Sequence, residues 1–322
     1  FEPPDLLQST VFKTAAFDHS AISPGSHQVF PECGCKYRIF FVFLKRKNHF
    51  FTRNFYSASS NNYNTFIIKF IECMLDMILL IVVGFIAGAI NMLAGGGSLL
   101  TLPVLIFMGL PPNIANGTNR IGIVLQMIAG TAGFKSKGVT TFPFSIYMGI
   151  AALLGSLIGA QIAVDIKGET FNKILSFVMI AVVILIIFKP KLKVKELIER
   201  TTGKHLWIGC IAFFFFGIYG GFLNAGLGFI LILFLHNFNH LSLVKSNATK
   251  AVVISIYMSG ALLVFILNDA VDWKMGLTMA IGTSLGGWFA SRFSVKKGDG
   301  FIKVFLLVMV SIMAVKLWFF SN

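Results

Sequence analysis

The stretch NMLAGGGSLLTLPVLI, residues 91–106, interrupts an apolar run with three glycines, a serine, a threonine and a proline. In a helix interior, glycine costs about 1 kcal/mol and proline about 3 kcal/mol relative to alanine. The surrounding run, residues 78–109, would make about 48 Å of straight helix, whereas a membrane's hydrocarbon core is about 30 Å thick. The stretch therefore predicts a broken helix, whose cost must be offset by packing or by a bound ligand.

The chain around this stretch has the composition of a membrane protein. Of its 322 residues, 56% are hydrophobic and 12% are charged, whereas soluble proteins carry about 25% charged residues. Besides the broken run at 77–109, apolar stretches cover residues 119–134, 144–164, 171–188, 205–223, 248–267, 275–291 and 300–320. None of them alternates with the period of two of a barrel strand, so we expect an all-α polytopic membrane protein.

Residues 1–73 differ from the rest of the chain, because all 12 methionines fall from Met74 onward. We interpret 1–73 as a non-native or disordered leader, read through in frame from upstream sequence, with the natural start at Met74. A transit peptide is the competing interpretation. Cys33 and Cys35 lie in this leader, and without a second cysteine pair we expect neither a disulfide framework nor a metal site.

The body of the chain contains an internal repeat. GFIAGAIN at 84 matches GIYGGFLN at 217, and GGGSLL, NGTNR and GSLIGAQIA at 95, 116 and 155 match GLGFIL, NATKA and GTSLGGWFA at 226, 247 and 282. These ordered matches predict two homologous repeats, residues 74–190 and 205–322, joined by a basic cytoplasmic linker at 191–204. Eight paired glycines are interpreted as helix-packing positions; they are Gly84, Gly88, Gly155, Gly159, Gly217, Gly221, Gly282 and Gly286.

The distribution of Lys and Arg predicts how the repeats are oriented. From Met74 onward, 19 Lys and Arg cluster at the ends of apolar runs, a membrane pattern that argues against nucleic acid as a partner. One crossing per broken run would place 10 inside and 9 outside, whereas a re-entrant hairpin of two half-helices inverts the halves and places 14 inside and 5 outside. The positive-inside rule favours inverted repeats, each with a broken re-entrant helical hairpin plus three transmembrane helices.

The broken segments are the candidate substrate site, because half-helix N-termini bind anions and paired interruptions mark the site in inverted-repeat transporters. NGTNR and NATK each place Asn and Thr beside a cation; they either cap their helices beside a base that snorkels to the interface, or bind an anion. Asn91 and Asn224 are expected to bond another helix or to face substrate. The candidate substrate-binding residues are Asn91, Gly95, Gly96, Gly97, Ser98, Asn116, Thr118, Asn119, Arg120, Asn224, Gly226, Gly228, Asn247, Thr249 and Lys250.

Catalytic residues, a cofactor and a metal are not predicted. No Asp, Glu or His lies in the middle of an expected span, which argues against a buried proton relay. His236 and His240 have the i, i+4 spacing of metal ligands, but they lack a third ligand and are expected to be a loop pair. The chain has no nucleotide-phosphate loop, which argues against ATP-driven transport.

The glycine-rich break followed by proline, together with the paired N-x-T motifs, resembles the TauE/SafE family of bacterial membrane transporters, the sulfite exporter family. The resemblance covers about 77–320, and its motif falls on Gly95, Gly96, Gly97, Ser98 and Pro103 and on Asn116, Thr118, Asn119 and Arg120. It implies a multi-pass transporter of the inner (plasma) membrane that moves sulfite, sulfonates, sulfoacetate or similar anions. The second half lacks the triple glycine, the serine and the proline, so the first half is expected to contribute more to binding.

The sequence thus predicts a non-enzymatic transporter that exports small organic or sulfur-containing anions. An inside-negative potential drives an anion outward by roughly 2.3 kcal/mol per charge per 100 mV, so export needs no coupling ion. The expected partners are the anionic substrate and the lipid bilayer, and a homo-oligomer is left open. The alternative is a non-transporting membrane subunit or a membrane-embedded enzyme.

Overall fold

The computed structural model describes residues 62–166, 170–171, 173–174, 177 and 198–320. Within these ranges the chain forms eight α-helices: α1 (Asn62–Ala94), α2 (Ser98–Phe107), α3 (Pro112–Lys135), α4 (Phe144–Asp165), α5 (Lys204–Phe222), α6 (Leu227–Asn237), α7 (Leu243–Leu267) and α8 (Trp273–Phe320). No strand occurs among the described residues. The all-helical prediction is therefore confirmed for this part of the chain.

Among the described residues, four helices are long and apolar enough to cross a membrane. These candidate spans are Met74–Ala94, Phe144–Asp165, Lys204–Phe222 and Leu243–Leu267, and the short apolar helices are Ser98–Phe107 and Leu227–Asn237. At 1.5 Å per residue the short helices reach only about 15 Å, half of the hydrocarbon thickness. The broken run at 77–109 is thus a span-length helix followed by a half-length one, and the second repeat has the same pattern. The expectation of two half-helices in each broken run is therefore wrong for the first helix of each pair.

The last helix joins two of the expected apolar stretches, 275–291 and 300–320. Within α8, Gly298 has φ 74° and ψ −173°, a non-helical conformation that divides the helix into two segments. The Asp299 carboxylate next to this kink accepts the backbone N–H groups of Leu243 and Val244, each at 2.9 Å. It thereby satisfies two of the donors at the N-terminus of α7 that have no intrahelical partner.

Each repeat packs its helices against helices of the other repeat. The glycines of α1 lie against α8, and those of α5 lie against α4, so close that a Cβ atom on any of the eight predicted packing glycines would overlap partner backbone. Gly84 meets Met279 and Gly217 meets Ala152, and these pairs are equivalent in the sequence matches. The packing interpretation of the eight glycines is confirmed, and the contacts follow the repeat from one half to the other.

The short helices bury their apolar faces together. Leu99, Leu102 and Leu105 of α2 lie at a spacing of three residues and join Phe229 and Ile232 of α6 in one buried cluster. Residues three apart share a face of a helix, so this face is anchored in protein. Each half-length helix is therefore held inside the bundle.

Several predictions concern parts of the chain outside the described residues. These parts include the leader as far as residue 61, with its Cys33 and Cys35, most of the apolar stretch 171–188, residues 191–197 of the linker, and Asn322. Of the linker, residues 198–203 are described and are not helical. They contact the α6–α7 connection, where Asn239 Nδ2 donates to the carbonyl of Arg200 at 2.9 Å.

Candidate functional site

Two interruptions of helical structure meet inside the bundle. We define the first break as residues 95–97, between α1 and α2, and the second break as residues 223–226, between α5 and α6. Gly95 (φ 83°) and Asn224 (φ 59°) adopt left-handed backbone conformations that end the preceding helices. Gly226 (φ 71°) is also left-handed and is the N-cap of α6. A Cβ atom on Gly228 would lie 2.6 Å from the Cα of Gly95, so the breaks touch, and only glycine fits at the contact.

The chain turns sharply at the first break. A Cβ atom on Gly97 would overlap the Ala87 carbonyl and the Asn91 side chain. In a continuous helix, Ala87 and Gly97 would be about 15 Å apart along the axis. The start of α2 therefore folds back against the end of α1.

Both breaks present unpaired backbone donors. Among the described residues, the N–H groups of Gly96, Gly97 and Ser98 donate to no carbonyl, and neither do those of Gly226, Leu227 and Gly228. Such groups carry the partial positive charge of a helix N-terminus. A Cβ atom on Gly96 would have only the tip of Leu99 within 4 Å, at 3.8 Å, so Gly96 faces open space. The arrangement suits a small anion.

Lys250 caps the end of α1 at the first break. Its Nζ donates to the carbonyls of Asn91 at 2.9 Å and Met92 at 2.8 Å, and to Asn247 Oδ1 at 2.7 Å. The Asn247 amide in turn donates to the carbonyl of Leu93 at 3.3 Å. The last carbonyls of α1 thus obtain partners from the other repeat, and a cation lies where the helix dipole is negative.

Arg120 caps the end of α5 at the second break. Its guanidinium donates to the carbonyls of Gly220, Gly221 and Phe222, at 3.3, 2.5 and 3.2 Å. The Asn116 amide also donates to the Phe222 carbonyl, at 2.9 Å. The guanidinium carbon lies 4.4 Å from the centre of the Phe265 ring, within the range of a cation–π contact. Each repeat thus sends a cation and an asparagine to the broken helix of the other.

These contacts correct two predictions about NGTNR and NATK. The helices begin earlier than expected: Pro111 is the N-cap of α3, and Ser242 caps α7 by accepting the N–H of Lys245. Asn116 and Asn247 therefore do not cap their own helices. The snorkelling interpretation is also wrong, because Arg120 is 1% exposed and Lys250 is fully buried.

The buried cations have no carboxylate partner among the described residues. The ion pair in this part of the chain joins Lys245 and Glu199 at the surface. Desolvating an ion costs several kcal/mol. The helix C-terminus that each cation contacts carries only about half a negative charge, so it neutralises the cation in part. The two cations and two C-termini therefore leave about one positive charge in the core, before the half-helix N-termini are counted. This electrostatic environment favours an anion.

The remaining predicted residues fall into three groups. Ser98 Oγ donates to the Asn224 carbonyl at 3.1 Å, which ties the breaks together. Thr118 Oγ1 instead accepts the N–H of Asp272 at 2.8 Å and holds the start of α8. Asn119 Oδ1 and Thr249 Oγ1 are buried without a hydrogen-bond partner among the described residues.

Sequence reasoning missed two polar residues that organise the breaks. Gln126 accepts the Asn91 amide at 3.1 Å and donates to the Gly88 carbonyl at 2.9 Å, so Asn91 bonds another helix. Tyr257 donates its hydroxyl to Asn224 Oδ1 at 2.7 Å and so supports the left-handed Asn224. Gln126 is the lone polar side chain of IGIVLQMIAG, and this was the signal available for it, whereas Tyr257 lies between Ser255 and Ser259 and gave no comparable signal. A polar group at such depth needs a partner.

The histidine pair lies away from the breaks. His236 belongs to α6, and its Nδ1 lies 2.8 Å from the Leu241 carbonyl. His240 follows in the connection to α7 with φ 55°. In the described part of the chain, no group of three or more His, Cys, Asp or Glu could hold a metal.

Comparison with known proteins gives consistent matches. The family model described as "Sulfite exporter TauE/SafE" matches residues 80–317. A "Probable membrane transporter protein" of Haemophilus influenzae is 29% identical over 239 residues, covering 74% of this chain and 93% of that protein. The "Probable membrane transporter protein YfcA" of Escherichia coli K12 is 28% identical over 243 residues, covering 74% and 88%. No solved structure matches the chain significantly.

Proposed function

Because the chain belongs to the TauE/SafE family of membrane transporters, we propose that it exports small sulfur-containing or organic anions across the bacterial inner membrane. Sulfite, sulfonates and sulfoacetate-like compounds are the substrate class. The observation that carries the proposal is the contact of the first break, at Gly95, with the N-terminus of α6, at Gly228, in a bundle that buries two cations. Unpaired N–H groups and uncompensated positive charge are the features that bind oxyanions.

The proposed binding residues divide into two roles. The N–H groups at Gly96, Gly97 and Ser98 bind the anion directly, with the donors at Gly226 and Gly228 opposite them. Lys250 and the terminal guanidinium nitrogens of Arg120 already donate hydrogen bonds to helix ends, so both residues supply long-range charge. Asn91, Asn116, Asn224 and Asn247 keep the breaks in place through the contacts described above. Among the proposed binding residues, Asn119 Oδ1, Arg120 Nε and Thr249 Oγ1 are the buried polar atoms left for substrate.

The two repeats are proposed to be inverted, with each broken run forming a re-entrant hairpin. The inverted topology places Arg120 on the outside and Lys250 on the inside, whereas both side chains are buried in the bundle. Removing one from each side changes 14 against 5 into 13 against 4, so the preference stays. Equivalent helix contacts in the two halves support the relation between them.

Flux in proteoliposomes tests this function. The purified full chain is reconstituted, vesicles are loaded with sulfite or sulfoacetate, and a potassium gradient with valinomycin imposes an inside-negative potential. An electrogenic exporter releases the anion faster as the potential grows, since 100 mV is worth roughly 2.3 kcal/mol per charge.

Gly96→Leu is the site variant, because its side chain fills the open space at the first break. Gly300→Leu is the matched control, since a Cβ atom on Gly300 would have no atom within 4 Å and Gly300 lies in α8, away from the breaks. We expect Gly96→Leu to abolish flux and Gly300→Leu to retain it. Absence of flux for every sulfur oxyanion would instead favour a subunit or an enzyme.

A further inference from the structure

A groove with a basic end lies between α1 and α8, apart from the two breaks. Its volume is about 620 Å³, within the roughly 300–1,000 Å³ typical of ligand pockets. The walls are formed largely by Phe85 of α1 and by Phe289 and Phe293 of α8. These rings are 40–54% exposed. Because α1 is a candidate span, the exposed rings face the hydrocarbon of the bilayer.

One end of the groove is lined by three cations. Arg292 and Lys296 lie one turn apart on α8, and Lys137 reaches the same end from the α3–α4 connection. Among the described residues, none of the three pairs with a carboxylate. Like charges at i, i+4 repel each other. An anion at this end would relieve the repulsion.

Trp288 joins the apolar and basic parts of the groove. The Arg292 guanidinium lies 4.5 Å from the centre of the Trp288 ring, which holds it at the groove. Tryptophan is enriched at the level of lipid headgroups, because its ring is apolar and its N–H is polar. Arginine binds phosphate with a bidentate grip. This pattern resembles the junction between an acyl chain and its headgroup.

The other repeat lacks these residues at equivalent positions. In the match of GSLIGAQIA with GTSLGGWFA and the three residues beyond it, Trp288 corresponds to Gln161 and Arg292 to Asp165. Gln161 donates to the Asp165 carboxylate at 3.4 Å. A phosphate would be repelled there. The basic groove is therefore a property of one half and does not follow from the repeated fold.

We propose that this groove binds an anionic phospholipid. The acyl chain lies along Phe85 and Phe289, and the headgroup phosphate lies between Lys137, Arg292 and Lys296. Basic pockets between transmembrane helices bind anionic headgroups in this way. Leu93, which also lines the groove, is in the last turn of α1 before the first break, so the lipid supports the wall of α1 there.

Lipid competition measured by native mass spectrometry tests the proposal. The full chain in detergent is titrated with phosphatidylglycerol and with phosphatidylcholine of the same acyl length. The groove variant carries Lys137→Gln, Arg292→Gln and Lys296→Gln. The control variant carries Lys135→Gln, Arg200→Gln and Lys204→Gln, which removes the same charge at exposed positions outside the groove.

The wild type is expected to prefer phosphatidylglycerol by about tenfold or more, since one basic residue near anionic headgroups changes affinity roughly fivefold. The groove variant loses this preference and the control keeps it. Equal loss in both variants, or no preference in the wild type, overturns the proposal. Displacement of phosphatidylglycerol by millimolar inorganic phosphate or sulfite also overturns it, because the groove would then bind soluble anions. If the triple variant misfolds, Trp288→Gln with Arg292→Asp, which installs the residues of the other half, must abolish the preference.

Discussion

Lys250→Met is expected to destabilise the protein, because Lys250 holds the end of α1. The substitution keeps an unbranched side chain, one atom shorter, and removes three hydrogen bonds of 2.7–2.9 Å, two of them to main-chain carbonyls. The Asn91 carbonyl still accepts the N–H of Gly95 at 2.9 Å, so the Met92 carbonyl and Asn247 Oδ1 are the buried acceptors left unsatisfied. Each costs about 1–3 kcal/mol, or about 2–6 kcal/mol for the pair. The variant no longer desolvates an ammonium group, which offsets part of this cost. A net loss of about 2–4 kcal/mol follows.

Thermal unfolding in detergent, followed by tryptophan fluorescence, measures this loss. Lys245→Met is the matched control on the same helix, because Lys245 forms an exposed ion pair with Glu199 that is worth at most about 1 kcal/mol. We expect a clearly lower midpoint for Lys250→Met and little change for Lys245→Met. If Lys250→Met unfolds at the wild-type temperature and only loses anion transport, Lys250 serves the ligand alone and its role as a helix cap is refuted.

Two further substitutions test the architecture around the breaks. Gly228→Ala is expected to lower the free energy of unfolding by about 1–3 kcal/mol, because its methyl group would lie 2.6 Å from the Gly95 Cα. Gly300→Ala is the control, and equal melting temperatures of the two variants would exclude the close contact. Asp299→Ala removes the acceptor for two N–H groups of α7 and is expected to lower the free energy of unfolding by about 1–2 kcal/mol. Faster amide hydrogen exchange at Leu243 and Val244 measures the effect, and unchanged exchange there would contradict it.

The sequence predicted the parts of this fold that depend on local composition and on repetition. Long apolar stretches predicted the candidate spans, and small residues four apart predicted where helices approach closely. The helix breaks followed from the glycines in residues 95–97 and from the match of GGGSLL with GLGFIL. Each of these features has a cause that lies within a few residues of it, so a sequence pattern is sufficient to find it.

The partners of Arg120 and Lys250 could not be predicted in this way. Their main-chain acceptors lie 100–159 residues away in the chain, and a cation beside Asn and Thr is equally compatible with a ligand, a headgroup or a helix end. The apolar stretch at 119–134 predicts a later start for α3 than Pro112, because Asn116 and Thr118 are polar. Both residues are nevertheless helical and buried against other helices. Hydropathy reports the cost of burying a side chain and does not identify the partner that offsets it.

Equilibrium binding of radiolabelled sulfite to the purified protein tests the central claim most directly, namely that the meeting point of the two breaks is an anion site. Wild type and Gly300→Leu are expected to bind sulfite saturably. Gly96→Leu, which fills the open space beside the free N–H groups, is expected to bind at least about tenfold more weakly, since loss of one or two charge-assisted hydrogen bonds is worth about 1.5–3 kcal/mol each. Wild-type affinity in a folded Gly96→Leu protein would contradict the account.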